Sequence, residues 1–337
     1  MADVQLSAYA LAHFPAVAIA SRRAEKAAEV ANRWKIPTVH QTPRQLIEDP
    51  DVEIVDIAFP PDQQPELIRH ALKQEHVRGI LAQKPLAMDF WQAKELVEEA
   101  AATDKVLSVN QNMRFDQSMR VLKQLLERNE LGTPVLGTIE MRAIPHWQAF
   151  LASYHRLTLL NMSIHHLDVL RFLFGDPIEI CTAARRDPRT EFRHTDGITV
   201  SILKFPSEVL AMTMEDVWSG PRQEGFDSDF YIKWRVEGLD GVAQGTIGWP
   251  DYPTGSPSTL RYCSKITTDG QWIQPSWNTR WFPHAFAGVM EQLQYALKTG
   301  TPPMLSASDN LKTMALVEAA YLSVQEARAV QLAEFGF

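Results

Sequence analysis

Five polar residues crowd one helical stretch of the chain: Asn161, Ser163, His165, His166 and Asp168. At the repeat of an α-helix, positions 161, 165 and 168 fall at i, i+4 and i+7 and share a face, whereas His166 is turned away by about 100°. A histidine titrates near neutrality, so His165 can take the proton of a hydroxyl as a hydride leaves the carbon that bears it. A metal site would need His165 and Asp168 joined by a distant His284 or His146, and the helix has no i,i+4 histidine pair. Proton transfer is therefore the better chemical reading and no metal is expected. Spacing alone favours a plainer reading still, a helix histidine satisfied by a structural hydrogen bond.

Three further places carry chemistry. Gln83-Lys84-Pro85 directly follows an apolar strand, which puts a lysine at the carboxyl edge of a parallel sheet, where open α/β folds bind ligands. A partly desolvated ammonium there can polarise a substrate oxygen and pass a proton; the alternative is an ordinary loop lysine. Ala20-Ser21-Arg22-Arg23 ends an earlier strand, at the position where an Asp or Glu would accept from the ribose 2′-hydroxyl of NAD and an Arg would accommodate the 2′-phosphate of NADP. Ser21 with Arg22 leans toward NADP, against the alternative of a solvated basic helix start. Asn110-Gln111-Asn112 with Arg114 closes a later strand and either orients a ligand or satisfies a junction between domains. The tryptophans at 147, 218, 249, 272, 277 and 281 read as core or interface material.

The elements that must position these residues follow from pattern. Short apolar runs at 16–20, 52–58, 78–81 and 106–109 alternate with helical periods at 23–34, 44–48, 66–74 and 91–101, the signature of crossover units and a parallel sheet. Thr42 before Pro43 is an N-cap with proline at the first helical position. Beyond about residue 113 the texture changes. A helix over 116–128 stops at Gly132, and strand-like runs at 135–142, 198–205, 209–217, 231–237 and 242–247 follow one another with few helices between them. That pattern predicts an antiparallel sheet, with helices at 157–174, 285–299 and 308–328. The expected fold is α/β: a Rossmann-type dinucleotide-binding domain over 1–113, then an α+β domain over 114–337 with an open, mostly antiparallel sheet that binds substrate and builds oligomers.

One part of that plan is missing. Such a domain normally opens with a strand and a glycine-rich turn that holds a pyrophosphate, yet this sequence opens on an amphipathic helix over 2–14 and contains no G-x-G-x-x-G. In a 3-2-1-4-5-6 sheet the missing strand is central, so the strands near 17–21 and 52–58 lose their shared neighbour. Unpaired buried backbone groups cost about 1–3 kcal/mol each. A truncated or mis-assigned start accounts for this better than a naturally shortened domain.

Composition bounds the function class. The 337 residues carry 33 Lys and Arg against 41 Asp and Glu, a net charge of −8, which argues against nucleic acid or an anionic membrane as partner. Two cysteines, Cys181 and Cys263, form neither a disulfide framework nor a CxxC, so a reducing cytoplasm is the expected compartment. The sequence shows no apolar run long enough to span a bilayer and no secretory signal pattern.

Taken in order, Pro60-Pro61-Asp62, Lys84-Pro85-Leu86-Ala87, Asn112 with Arg114-Phe115, Gly132-Thr133-Pro134-Val135 with Gly137, His165 with Asp168, and the tail Ser308-Asp309-Asn310-Leu311 to Ala319-Ala320-Tyr321 and Ser323 resemble the Gfo/Idh/MocA oxidoreductases. The likeness runs from Ala2 to Leu332. It implies reversible hydride transfer between a nicotinamide, NADP or NAD, and a hydroxyl-bearing carbon of a sugar, polyol or related compound, in a homodimer or homotetramer. Lys84 matches the family's lysine of a Glu-Lys-Pro motif, His165 its catalytic histidine, and Asn161 a place where Asp is common. The cofactor contacts so implied are Ser21, Arg22, Pro60, Pro61, Gln83, Lys84, Asn112 and Arg114. Three departures stand out: the absent glycine-rich turn, Gln83 for Glu, and Asn161 for Asp, which can orient His165 but carries no charge to stabilise its imidazolium. The competing expectation is a non-catalytic ligand-binding or assembly protein that kept the fold and lost the cofactor turn.

Overall fold

The computed structural model describes residues 2–142, 149–216, 230–248 and 256–337; His146, Trp147, Val217, Trp218 and Trp249 lie outside them. The chain forms two compact units, Met1–Asn112 with Pro283–Leu311, and Met113–Phe282 with Lys312–Phe337. Residues 283–311, read above as part of the second domain, thus belong with the first, because their helix packs on its parallel strands.

The first unit runs α1 (Ala2–Leu11), β1 (Ala18–Ala20), α2 (Ala24–Trp34), β2 (Thr38–His40), α3 (Pro43–Ile47), β3 (Ile54–Ile57), α4 (Gln64–Leu72), β4 (Gly79–Ala82), α5 (Phe90–Ala101) and β5 (Val106–Val109), and is completed by a later helix, α8 (His284–Thr299). Local chemistry starts several of these helices. Thr42 accepts from the Gln45 amide at 3.2 Å while the Gln45 side chain accepts from the Thr42 amide at 3.1 Å, a reciprocal cap. Asp89 caps α5 through the Gln92 amide at 2.9 Å. At β4, a side chain on Gly79 would stand 2.9 Å from Leu297, so glycine lets α8 close on the strand. The parallel strands form two separate sheets: β1 with β2, and β3-β4-β5. β2 carries no alternation that marks it in sequence, since its three residues are exposed or half-buried.

The second unit runs α6 (Gln117–Glu127), β6 (Pro134–Arg142), a π-turn (Leu159–Ser163) continuing into α7 (Ile164–Phe174), β7 (Glu179–Arg185), β8 (Ile198–Lys204), β9 (Leu210–Asp216), β10 (Tyr231–Gly238), β11 (Gly241–Ile247), β12 (Thr259–Ser264), α9 (Ala307–Glu326, whose first turn falls in the first unit) and β13 (Val330–Gln331). These strands make one eight-stranded sheet in the order β12-β11-β10-β6-β9-β8-β7-β13, antiparallel throughout except for the parallel pair β6–β9. Gly132 turns the chain into β6 at φ +70°, and a Cβ there would lie 2.9 Å from the Asp240 backbone nitrogen. The helices α6 and α7 pack on the sheet through β11, β12 and β9. β8 inverts the usual alternation: Thr199 and Ser201 are buried, while Val200 and Ile202 face outward.

The first helix is pinned by one carboxylate. Gln5 donates to both oxygens of Asp56 on β3, at 2.8 and 2.6 Å, and the Tyr9 hydroxyl donates at 2.6 Å. Burial pushes Asp56 up to about 6, against the pull of those hydrogen bonds, and holds the Tyr9 hydroxyl protonated well above its ordinary range. A carboxyl whose pKa is higher folded than unfolded favours the native state at low pH, and that contribution fades as pH rises from about 4 through about 6. Asp56→Asn keeps an acceptor and offers a donor to the otherwise unpartnered Gln5 Oε1. The variant is therefore expected to melt about 3 °C above wild type at pH 8 and level with it at pH 4, checked by calorimetry at both values.

Candidate active site

Within the first unit the chemistry sits at the carboxyl ends of β4 and β5. Gln83, Lys84 and Pro85 leave β4 through a cis Lys84–Pro85 bond. Gln64, fully buried at the start of α4, fixes this turn: its amide donates to the carbonyls of Gln83, Pro85 and Leu86 at 2.8, 2.6 and 2.9 Å, and its oxygen accepts from the Gln83 N–H at 3.1 Å. Nothing in the sequence singles out Gln64; a glutamine three residues past Pro61, at the entry to a helix, is the only trace it leaves. The turn holds the Lys84 ammonium out of water, and desolvation brings its pKa down to about 7. At that value the amine is charged and neutral in comparable amounts near physiological pH, as a group that both donates to and takes protons from an oxygen requires.

Around this lysine several buried amide groups lack a protein partner: Gln83 Nε2, Asn110 Nδ2, and both side-chain heteroatoms of Gln111. Asn310, at the start of α9, likewise keeps its nitrogen and oxygen unbonded. Unsatisfied buried amides are uncommon and call for a ligand. Their donors and acceptors suit the carboxamide and ribose hydroxyls of a nicotinamide nucleotide. The pyrophosphate is a different matter, because no glycine-rich turn precedes a helix in this chain. At the end of β1, Ser21 Oγ donates to the Arg23 carbonyl at 2.7 Å and accepts its amide at 3.0 Å, while Arg22 is exposed and donates to Gln63 at 3.0 Å. Ser21, Arg22 and Pro60 line one cavity; Pro61 is buried beside it in sequence. Asn112 donates to the Asn110 side chain at 3.1 Å.

Within the second unit, Asn161 lies on the π-turn and His165 on the first turn of α7. A π-turn carries one extra residue per turn, so the face assigned above from a uniform 3.6 repeat is not continuous from 161 to 168. Asp196 caps the turn: its carboxylate accepts the amides of Leu157 at 2.9 Å and Leu159 at 2.8 Å, and the Tyr321 hydroxyl at 2.8 Å. His165 is buried, and its ring stands edge-on to Trp281 at 5.5 Å between centroids. His166 points elsewhere, its Nδ1 bonded to Glu215 at 2.9 Å, with Thr199 donating to the same carboxylate at 2.6 Å. The polar inner face of β8 is explained by this network. Arg114, expected to contact the cofactor, is instead buried in a two-pronged bond to Asp168, at 2.7 Å on each oxygen. Asp168 is thereby withdrawn from both proton transfer and any metal set. Among the described residues, no group of three His, Cys, Asp or Glu is placed to hold a metal ion.

A model of an oxidoreductase family with an NAD-binding Rossmann fold, Gfo/Idh/MocA, matches residues 4–111, and a model of the GFO/IDH/MocA C-terminal domain matches 119–243. The D-apiose dehydrogenase of Paraburkholderia graminis is 25% identical over 334 residues, covering 94% of this chain and 82% of that one. The myo-inositol 2-dehydrogenase of Thermotoga maritima is 25% identical over 329 residues, covering 94% and 91%. An oxidoreductase from Agrobacterium radiobacter, solved with NAD+, L-tartaric acid and magnesium, has the same fold at a TM-score of 0.83 and 23% identity, over 99% of this chain and 96% of that one.

The lowered pKa of Lys84 is directly measurable. After reductive methylation with labelled formaldehyde, one lysine resonance is expected to titrate near pH 7 by carbon NMR and to vanish in Lys84→Arg.

Proposed function

As the chain belongs to the Gfo/Idh/MocA oxidoreductase family, we propose that it is an NAD(P)-dependent dehydrogenase acting on a hydroxyl-bearing carbon of a sugar or polyol. The observation that carries this reading is the Lys84 turn, braced by Gln64 at the end of a parallel strand among unsatisfied amides. When bound, the nicotinamide supplies a two-electron acceptor for hydride. Gln83, Gln111 and Asn112 are assigned its nicotinamide end, Ser21 and Arg22 with Pro60 and Pro61 its adenosine end. Lys84 Nζ hydrogen-bonds the substrate oxygen, making its hydroxyl easier to deprotonate in oxidation and polarising the carbonyl in the reverse reduction. The His165 imidazole takes the hydroxyl proton, and Asn161 orients that ring. The relatives named for D-apiose and myo-inositol support a sugar-like substrate.

The roles are separable by kinetics. His165→Ala and Lys84→Ala are each expected to lower kcat for oxidation by about 10²–10⁴-fold. His166→Ala acts on stability instead: it strips a partner from buried Glu215, costs about 3 kcal/mol, and lowers the melting temperature with a much smaller change in rate. Normal turnover in His165→Ala would make that histidine structural. The absent glycine-rich turn favours a second reading, a ligand-binding or assembly protein; it predicts no turnover with NAD+ or NADP+ on any sugar or polyol tried.

Cofactor choice is assigned to NADP over NAD, because Ser21 leaves no carboxylate to repel a 2′-phosphate and Arg22 is exposed beside it. Fluorescence titration is expected to show NADPH binding at least as tightly as NADH, with Ser21→Asp reversing the order.

We also infer a homodimer or homotetramer in a cytoplasmic setting. Val200, Ile202 and Leu210 stand 37–44% exposed on the outer side of neighbouring strands β8 and β9, an apolar strip that a second copy would cover. Light scattering at micromolar concentration is expected to give at least twice the chain mass, and Ile202→Asp to give the monomer. Cys181 and Cys263 are both unpaired thiols, as a reducing compartment allows.

A further inference from the structure

We propose that residues 274–282 of the second unit are a recognition strip for substrate, in which the Thr279 hydroxyl and the Trp277 indole N–H bind hydroxyls remote from the reacting carbon. This rests on the dehydrogenase reading and adds the groups that select one sugar or polyol over another. The strip is fixed at both ends. Ile273 exchanges two backbone hydrogen bonds with Tyr262 of β12, at 2.8 and 2.9 Å. At the far end Trp281 is 2% exposed, packs at 4.6 Å between centroids against Phe282, and meets the His165 ring edge-on at 5.5 Å. The residues between Ile273 and Trp281 belong to no helix or strand, so no regular repeat dictates which of them turn inward.

Burial identifies them. Ser276 and Asn278 are exposed, Trp277 and Thr279 half-buried, and Trp281 buried. Thr279 and Trp277 thus turn inward as Trp281 does, and chain length keeps their Cα atoms within about 7 and 14 Å of its own. The Thr279 hydroxyl and the Trp277 indole nitrogen are both shielded from water, yet neither has a hydrogen-bond partner. Native proteins seldom leave such groups unpaired. An indole N–H only donates, whereas a threonine hydroxyl donates and accepts, so the complement is a ligand whose oxygens accept from both and return a proton to one. The hydroxyls of a sugar or polyol beyond its reacting carbon have that character. A ligand without them leaves both groups buried and unpaired, the condition under which a site rejects an analogue most strongly.

The test reads binding, not turnover. D-glucose, D-xylose and myo-inositol are each titrated into nitrogen-15-labelled protein, alone and with NADH or NADPH. The Trp277 indole N–H resonance, identified by its loss in Trp277→Phe, is expected to move downfield with at least one of them; a resonance that none of them moves overturns the proposal. For the compound that moves it, Thr279→Val is expected to raise Kd about 5–10-fold, the worth of one hydrogen bond, and Thr279→Ser to restore it. One monodeoxy analogue of that compound should bind wild type more weakly than its parent by the same factor, and Thr279→Val no more weakly than its parent does. Equal losses in the two proteins, or a Kd unchanged in Thr279→Val, overturn the assignment of Thr279. Turnover of a sugar or polyol without these responses removes the strip and leaves the dehydrogenase reading standing. These responses without turnover by NAD+ or NADP+ keep the strip and remove that reading.

Discussion

Asp168 sits on α7 with its carboxylate almost wholly removed from water, and the second unit is arranged around what that charge requires. Arg114 meets both oxygens in a fork-to-fork bond, the Thr313 hydroxyl adds a third donor at 2.8 Å, and the Arg171 guanidinium stands 3.8 Å away. Losing one partner of such a pair leaves a buried charge uncompensated, at about 3–5 kcal/mol. Three segments far apart in the chain, around 114, 168 and 313, are thereby held to one point. The Arg114 guanidinium also lies over the Phe172 ring, with the Lys123 ammonium over the same ring at 5.4 Å. The helix that presents His165 is thus fixed from below by charge and not by apolar packing alone.

The first unit solves its polar problem with amides. Gln64 gives one side chain to four backbone groups, and Gln83 stands where the Glu-Lys-Pro motif implied by the resemblance would put a glutamate. A carboxylate at 83 would hold the neighbouring ammonium in its charged form. With an amide there, desolvation acts on Lys84 without that opposition, and the amine reaches neutrality at about 7. The same substitution leaves Gln83 Nε2 as a donor for something other than protein. Two features that look independent, a perturbed lysine and an orphaned amide, therefore have one cause.

Much of this was legible in the sequence, and the limits are physical. The parallel strands announced themselves as apolar runs, Val106–Val109 with its bounds unchanged, because both faces are covered. Thr42 and Pro43 marked α3 because capping is local chemistry. β2, β7 and β12 escaped notice: β2 is short and half-exposed, β7 begins on Glu179 and exposes Cys181, and β12 alternates irregularly, with Thr259 and Arg261 facing out and Tyr262 and Cys263 half-buried. The return of 283–311 to the first unit is a matter of tertiary packing that no period encodes. The bond from Arg114 to Asp168 was not legible because the partner lies 54 residues away, and a motif records that an arginine is there without recording what it holds. The exchange of polar for apolar on β8 was not read from the sequence, because only the placement of His166 and Glu215 shows what Thr199 and Ser201 face.

The π-turn at Leu159–Ser163 has a consequence for how this chain tolerates length changes. Its upstream end is anchored by Asp196 through backbone amides, and its downstream end by Asp168 through Arg114. Between two fixed anchors, the extra residue of the π-turn sets the rotational phase of everything it joins. Deleting one residue there would regularise the helix and advance its phase by about 100°, one residue's rotation. His166 would then take the bearing of its neighbour, and the helix could satisfy the aspartate at one end or the other but not both. Insertions and deletions in these five residues are thus far more damaging than substitutions, and alignments of related chains should show gaps on either side of the segment but none within it.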